Sequence, residues 1–262
     1  MSSVIAPRFR RAGEFAVSLI FLASTFARSV DAQATADVNK TICFDRTSTQ
    51  LDATAQQLGK AFTAFTAKVD LVVVVDTSTS ISDGDLANSL SLIVQLIQYV
   101  QLVFNSYLDP DSGIDLEVIT FGSSANISGT NINPCQLEDV LSGIRKPTAD
   151  QPTIVSKAID VAGKVFQRAT NRRGLQTCQI LFIITDGQFN DYPPTLVSAA
   201  VYRLRVWGVH VFSCGVGEWF NSAQEEQNLK SLTTDSSTDY LCMSDWMTVL
   251  TPKRNAGMRK RR

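Results

Sequence analysis

The sequence predicts an α/β protein, a doubly wound, mostly parallel sheet with helices on both faces. Two observations predict it. Short runs rich in β-branched residues show no apolar–polar alternation, as expected of strands buried on both faces. Helix-length amphipathic segments separate those runs, the arrangement that right-handed crossovers produce. The 262 residues, 44% hydrophobic and 19% charged, suffice for one domain with appendages at roughly 100–200 residues per domain. That composition excludes a disordered, collagen-like or multi-span membrane chain.

The elements follow in order. Arg8, Arg10 and Arg11 precede an uncharged, mostly apolar run from Ala16 to Phe26, and the small residues Ala27, Ser29 and Ala32 come after it. This is the order of a secretory signal peptide, assigned to 1–32; the run is shorter than the roughly 17–25 residues of a membrane span. A buried N-terminal helix is the alternative. Residues 33–67 form an N-terminal extension in which Leu51, Ala55, Leu58, Phe62 and Phe65 recur at spacings of four and three. That period marks one helix face, and barely two heptads of it favour packing on its own domain over a coiled coil.

Strands are expected at Val69–Val75, Ile114–Phe121, Cys178–Ile184, Val209–Val216 and Asp239–Met243, with a short extra one at Ala125–Ser128. Helices are expected at Leu86–Phe104, Gln136–Arg145, Ile154–Arg168, Thr195–Val206, Glu225–Leu232 and Asp245–Leu250. The tail, 252–262, carries six basic residues. It reads as a solvated end, or more sharply as an attachment to an acidic glycan or membrane surface.

Charge and cysteines bound the setting. Between the signal and the tail stand 14 basic against 23 acidic side chains, so nucleic acid is not an expected partner. A secreted, extracellular chain is expected. The sequons Asn39-Lys40-Thr41 and Asn126-Ile127-Ser128 fit that route as glycosylation sites. Of five cysteines, Cys214 lies in an apolar run and reads as a buried thiol, leaving Cys43, Cys135, Cys178 and Cys242 as disulfide candidates. Cys43 with Cys242 would tie the start of the folded region to its end and leave Cys135 with Cys178, but four cysteines allow three pairings.

In a doubly wound sheet, ligands bind beyond the carboxyl ends of the strands. The first strand there ends in Asp76-Thr77-Ser78-Thr79-Ser80, and the strand through Ile180–Ile184 ends in Thr185-Asp186-Gly187. Thr153 follows Asp150-Gln151-Pro152 and opens a helix. Residues two apart in an extended turn point the same way, so Asp76, Ser78 and Ser80 can converge while Thr77 and Thr79 face elsewhere. Gly187 permits a sharp turn beside Asp186. Two carboxylates and three hydroxyls suit a hard divalent cation, and magnesium better than a seven-coordinate calcium cage.

The D-x-S-x-S run, the threonine at a helix head and the Thr-Asp-Gly after a buried strand resemble the von Willebrand factor type A domain with its metal-ion-dependent adhesion site. Val118–Gly122 and Val211–Gly217 extend the resemblance, which covers 68–251. It implies that Ser78 and Ser80 bind Mg2+ (or Mn2+) directly, that Thr153 does so directly or through water, and that Asp76 and Asp186 stand one layer out. It implies that the strands ending in Asp76 and Asp186 lie side by side. A remaining coordination position would take a carboxylate from a protein partner, an extracellular-matrix or cell-surface protein. It further implies that the last helix shifts on ligand binding. Thr77 and Thr79 stand where relatives often carry glycine, and Pro152 stiffens the loop presenting Thr153.

Each piece alone has a plainer reading: Ser80 or Asp83 as a helix cap, Thr153 as another, Asp186-Gly187 as a turn. A module with an empty or purely stabilising site is the alternative function. A metal-assisted hydrolase is a third, with Asp83 or Asp191 as the base. The single histidine, His210, lies on an expected buried strand, so no Ser-His-Asp or Cys-His arrangement forms around a loop nucleophile. No glycine-rich phosphate loop follows the first strand. The sequence points away from an enzyme.

Overall fold

The computed structural model describes residues 48–63, 68–104, 113–149, 151–173, 177–217, 223–237 and 239–250. In chain order these form α1 (Ser48–Thr63), β1 (Val69–Asp76), α2 (Asp83–Phe104), β2 (Ile114–Phe121), β3 (Ala125–Gly129), α3 (Pro134–Gly143) and α4 (Val155–Arg173). There follow β4 (Cys178–Thr185), α5 (Thr195–Val206), β5 (His210–Gly215), α6 (Ala223–Leu232), β6 (Tyr240–Cys242) and α7 (Met243–Leu250). The six strands form one sheet in the order β3-β2-β1-β4-β5-β6. All neighbours are parallel except β2 with β3, and the chain winds outward in both directions from β1, as a doubly wound fold requires.

Side chains of β1 alternate between two cores. Leu71, Val73 and Val75 face one with α1, α2 and α7, whereas Val72 and Val74 face the other with α4, α5 and α6. Every β1 residue is buried, which explains an apolar run without alternation. At the amino end of the sheet the run is broken by the buried acids Asp70, Asp115 and Glu117. Asp70 lies in register with Asp115, and Arg168 of α4 pairs with Glu117 at 3.7 Å.

The terminal helices lie on the same face. Within α1, Leu58 is fully buried, with Leu51 and Ala55 packed partly against the same core, and the helix contacts α2, α7 and β4. Trp246 of α7 is fully buried. Its indole N–H donates to Ser213 O at 2.9 Å, and its ring meets Phe182 and Phe212 edge to face at 4.9 and 5.7 Å.

One pairing raised by the sequence is corrected. Cys178 opens β4 as a free, buried thiol directed at Ala61 O under α1, so it is not bridged to Cys135. Burial, with the nearby charge of Asp70, pushes this thiol up to about 12. Cys214 is likewise free and buried. Cys242 is disulfide-bonded; Cys43 and the Cys135 side chain lie outside what is described, as do the signal segment, Asn39, Trp219 and the basic tail. No helix among the described residues is long and apolar enough to cross a membrane.

Candidate metal centre

Because β1 and β4 are parallel neighbours, their carboxyl ends bring Asp76 and Asp186 to one edge of the sheet. The chain curls as it leaves β1: the Ser78 amide donates to Asp76 Oδ1 at 2.8 Å, and the Ser78 and Ser80 hydroxyls come within 3.1 Å of each other. Thr77 turns away, its Oγ1 donating to Phe121 O at 3.0 Å, and Thr79 Oγ1 donates to Gln151 O at 3.3 Å. The even–odd division expected of an extended turn is therefore present, with 77 and 79 spent on neighbouring loops.

Asp76 and Asp186 are 1% and 0% exposed. Thr185 Oγ1 donates to Asp76 Oδ2 at 2.6 Å, and the Gln188 amide donates to Asp186 Oδ1 at 2.9 Å. Asp186 Oδ2 is buried without a hydrogen-bond partner among the described residues. Burial, followed by the like charge of Asp186, raises the Asp76 carboxyl to about 6 against hydrogen bonds from Ser78 and Thr185. Burial also raises Asp186, and Glu225 adds to the rise, while Ser80 and the Gln188 amide oppose it.

The third loop is stitched between the other two. The Ile154 amide donates to Gly122 O at 2.9 Å, and the Asn190 amide donates to Thr153 O at 2.8 Å. Asn190 Oδ1 in turn accepts the Thr153 amide at 2.8 Å. Thr153 is buried, and no hydrogen bond among the described residues joins its hydroxyl to the other four side chains. Direct contacts thus group Asp76, Ser78, Ser80 and Asp186, whereas Thr153 is placed beside them by its backbone.

The plainer readings of these hydroxyls fail on the helix starts. α2 is capped by Ser82, whose Oγ accepts the Asp85 amide at 3.0 Å and donates to Asp85 Oδ2 at 2.7 Å, an N-cap hydroxyl satisfying the N3 amide. At α4 the cap comes from far along the chain: Asp191 accepts the Val155 and Ser156 amides at 2.9 and 3.0 Å. Neither Ser80 nor Thr153 is used as a cap. The same contacts commit both Asp191 oxygens, so Asp191 is not a base in waiting, and Asp83 is an exposed side chain facing Lys146 at 4.0 Å.

The glycines at the strand ends are explained by close approach. A Cβ on Gly122 would stand 3.0 Å from Gln151 Oε1 and 3.7 Å from Ser78 Cα. Gly187 has φ +80°, and a Cβ there would lie 2.9 Å from Glu225 O; Gly217, at φ +92°, separates Asp85 from Asp186. The sequence reading missed Thr185, Asn190 and Glu225, and offered Asp191 as a base where it caps α4. Thr185 was legible as the hydroxyl preceding Asp186; the others come near only through tertiary folding, which no local signal announces.

The donor set fits a small hard cation. Two buried carboxylates of like sign, with no cationic side chain pairing either among the described residues, are costly unless an ion or a proton compensates them. The surrounding donors are hydroxyl oxygens, which suit magnesium or manganese. Among the described residues no group of three or more His, Cys, Asp or Glu could hold a metal, so a carboxylate cage of the calcium kind is not formed there. His210 stands at the far end of β5, 2.9 Å from Asp239, and contributes nothing to this edge.

The family model described as von Willebrand factor type A domain matches residues 70–253. Several solved structures share the fold. A manganese-loaded TRAP protein of Plasmodium vivax is 20% identical, with a TM-score of 0.54 over 71% of this chain and 72% of that one. Proximal thread matrix protein 1 of the mussel byssus, solved with a zinc-occupied MIDAS motif, is 19% identical with a TM-score of 0.54. The match covers 70% of this chain but only 45% of that one. The hypothetical protein BatB of Bacteroides thetaiotaomicron is 18% identical with a TM-score of 0.50, over 70% and 95% of the two chains. No curated protein matches the sequence.

Proposed function

The chain belongs to the von Willebrand factor type A domain family, and from that premise we propose that it is a secreted or cell-surface adhesion module that binds an acidic residue of a protein partner through Mg2+ or Mn2+. Ser78, Ser80 and Thr153 would hold the ion with hydroxyl oxygens, and Asp76 and Asp186 would orient that shell and balance its charge. The bound ion supplies an electrophilic centre. Because its nearest protein donors are neutral, a partner's carboxylate gains strongly from joining them.

One observation carries the reading: Asp186 Oδ2, fully buried and unpartnered, sits with Asp76 beside two hydroxyls that no helix uses as caps. Manganese in the Plasmodium vivax protein and zinc in the mussel MIDAS motif support a divalent ion at this edge of the fold. The signal-like segment 1–32 supports export, and Asn126, exposed on β3, is an accessible sequon for glycosylation there.

Calorimetric titration of the domain with Mn2+ and Mg2+ tests the ion, and plated extracellular-matrix proteins test the partner. We expect binding of the ion to the native protein, loss of it in Asp186→Ala, and matrix binding that disappears in EDTA and in Ser78→Ala. Absence of ion binding by the native domain would remove the mechanism. Ion binding that raises the melting temperature without any chelator-sensitive partner would favour the stabilising role instead.

A further inference from the structure

The sulfur of Cys242 requires a partner, and the fold selects one. Cys242 closes β6 as a buried, disulfide-bonded residue, while Cys178 and Cys214 are free, which leaves Cys43 and Cys135. Cys135 lies in the first turn of α3, three residues beyond Ile132, whose amide donates to Leu116 O at 3.0 Å. Leu116 registers through Leu71 and Ile180 with His210, whereas Cys242 registers with Gly215. Leu116 and Cys242 therefore stand four strands apart across the sheet and five residues apart along it. At about 4.8 Å per strand and about 3.3 Å per residue that diagonal is about 25 Å. The hydrogen bond and the three residues recover at most about 15 Å of it, which leaves Cys135 outside the roughly 7 Å Cα separation that a bridge tolerates.

The course of α1 brings Cys43 to the right corner instead. The helix ends at the amino edge of the sheet, where Cys178, the first residue of β4, is directed at Ala61 O. From that edge its 16 residues reach back about 24 Å, with Leu58, Ala55 and Leu51 on the core and α7 in contact. α7 starts directly after Cys242 and passes under β5, where Trp246 donates to Ser213 O. Ser48 thus stands toward the carboxyl edge, on the side where β6 ends, and the chain from it to Cys43 spans up to about 17 Å.

We infer that Cys43 and Cys242 form a disulfide that closes the N-terminal extension onto the last strand, and that Cys135 keeps its thiol. The bond forms as the two thiols give up two protons and two electrons to the disulfide of a thiol oxidoreductase on the secretory route, which leaves as a dithiol. It rests on the export part of the reading above and not on the ion. Its ring encloses β1 to β6, so α1 belongs to the covalent unit of the domain although the family match begins only at residue 70.

The test is peptide mapping of the full chain produced in insect cells, alkylated and digested without reductant, with melting temperatures of the native chain, Cys43→Ser and Cys135→Ser with and without dithiothreitol. We expect the chain in the medium, one linked peptide pair holding Cys43 and Cys242, and the alkyl group on Cys135, Cys178 and Cys214 once the chain is denatured. Cys43→Ser or dithiothreitol should each lower the melting temperature by about 10 °C and together no further, whereas Cys135→Ser should melt with the native chain and respond to dithiothreitol as it does. Should Cys43→Ser fail to fold, the peptide map of the native chain decides alone. A bond from Cys242 to Cys135, or an alkylated Cys242 in the unreduced secreted chain, would overturn the inference while export stands. A chain retained in the cytosol with Cys242 alkylated would overturn both.

Discussion

Asp76→Asn separates the stability of the fold from the capacity of its site. In the folded protein the Asp76 carboxyl is raised from 3.8 to about 6. Between those values the folded state holds a proton that the unfolded chain has released, so stability without metal falls as pH rises across that interval, and the loss is complete above about 6. A rise of roughly two units corresponds to about 3 kcal/mol. Asparagine removes the charge and keeps an acceptor for the Ser78 amide; toward Thr185 it presents an amide in place of an acceptor, which the rotatable hydroxyl can meet as acceptor instead. In EDTA above pH 7 the variant is expected to be more stable by about 1–3 kcal/mol, or several degrees in Tm at the roughly 2–4 °C per kcal/mol of a domain this size. Near pH 4 the gain should vanish, because native Asp76 is then protonated when folded. Saturating Mn2+ should reverse the order, stabilising only the native chain. Calorimetric melting at several pH values, with and without the ion, reads all of this. A variant less stable than the native chain at high pH in EDTA, or a gain independent of pH, would refute the argument that Asp76 is held charged at a cost.

Other outcomes follow from the same contacts. Ser82→Ala should cost about 1 kcal/mol of stability and leave Mn2+ affinity intact, whereas Ser80→Ala should do the reverse; titration and melting of both variants check the division of labour. Asp191→Ala strips the cap from α4 and unfastens the loop carrying Thr153, so it should cost about 1–2 kcal/mol and weaken ion binding as well. Trp246→Ala, which empties a fully buried site between Phe182 and Phe212, should cost about 3–5 kcal/mol, measured by denaturant unfolding.

Much of this was legible because strand and helix carry different periods. The β1 run, apolar on both faces, announced a central parallel strand, and the alternation of Asp76, Ser78 and Ser80 against Thr77 and Thr79 held in the folded turn. Boundaries were less legible: α4 runs on to Arg173 rather than ending near Arg168, because nothing in the sequence there stops a helix. The caps were misread for a physical reason. Ser80 and Asp83 flank the start of α2, but the cap geometry selects Ser82 through its partner three residues on, and α4 borrows its cap from Asp191, 36 residues away from Val155. Cys178 looked eligible for a bridge until its place under α1 was known. Glu225 read only as part of a polar helix start, since its proximity to Asp186 exists in space alone.

The clasp of α1 against α7 bears on mechanics. The first and last described helices lie on one face and touch each other, so tension applied between residues 48 and 250 is borne first by their shared contact, while Trp246 fastens α7 to β4 and β5. While that contact holds, the strands carry little of the load. Force entering at the carboxyl edge of the sheet would instead load the loops after β1 and β4 directly.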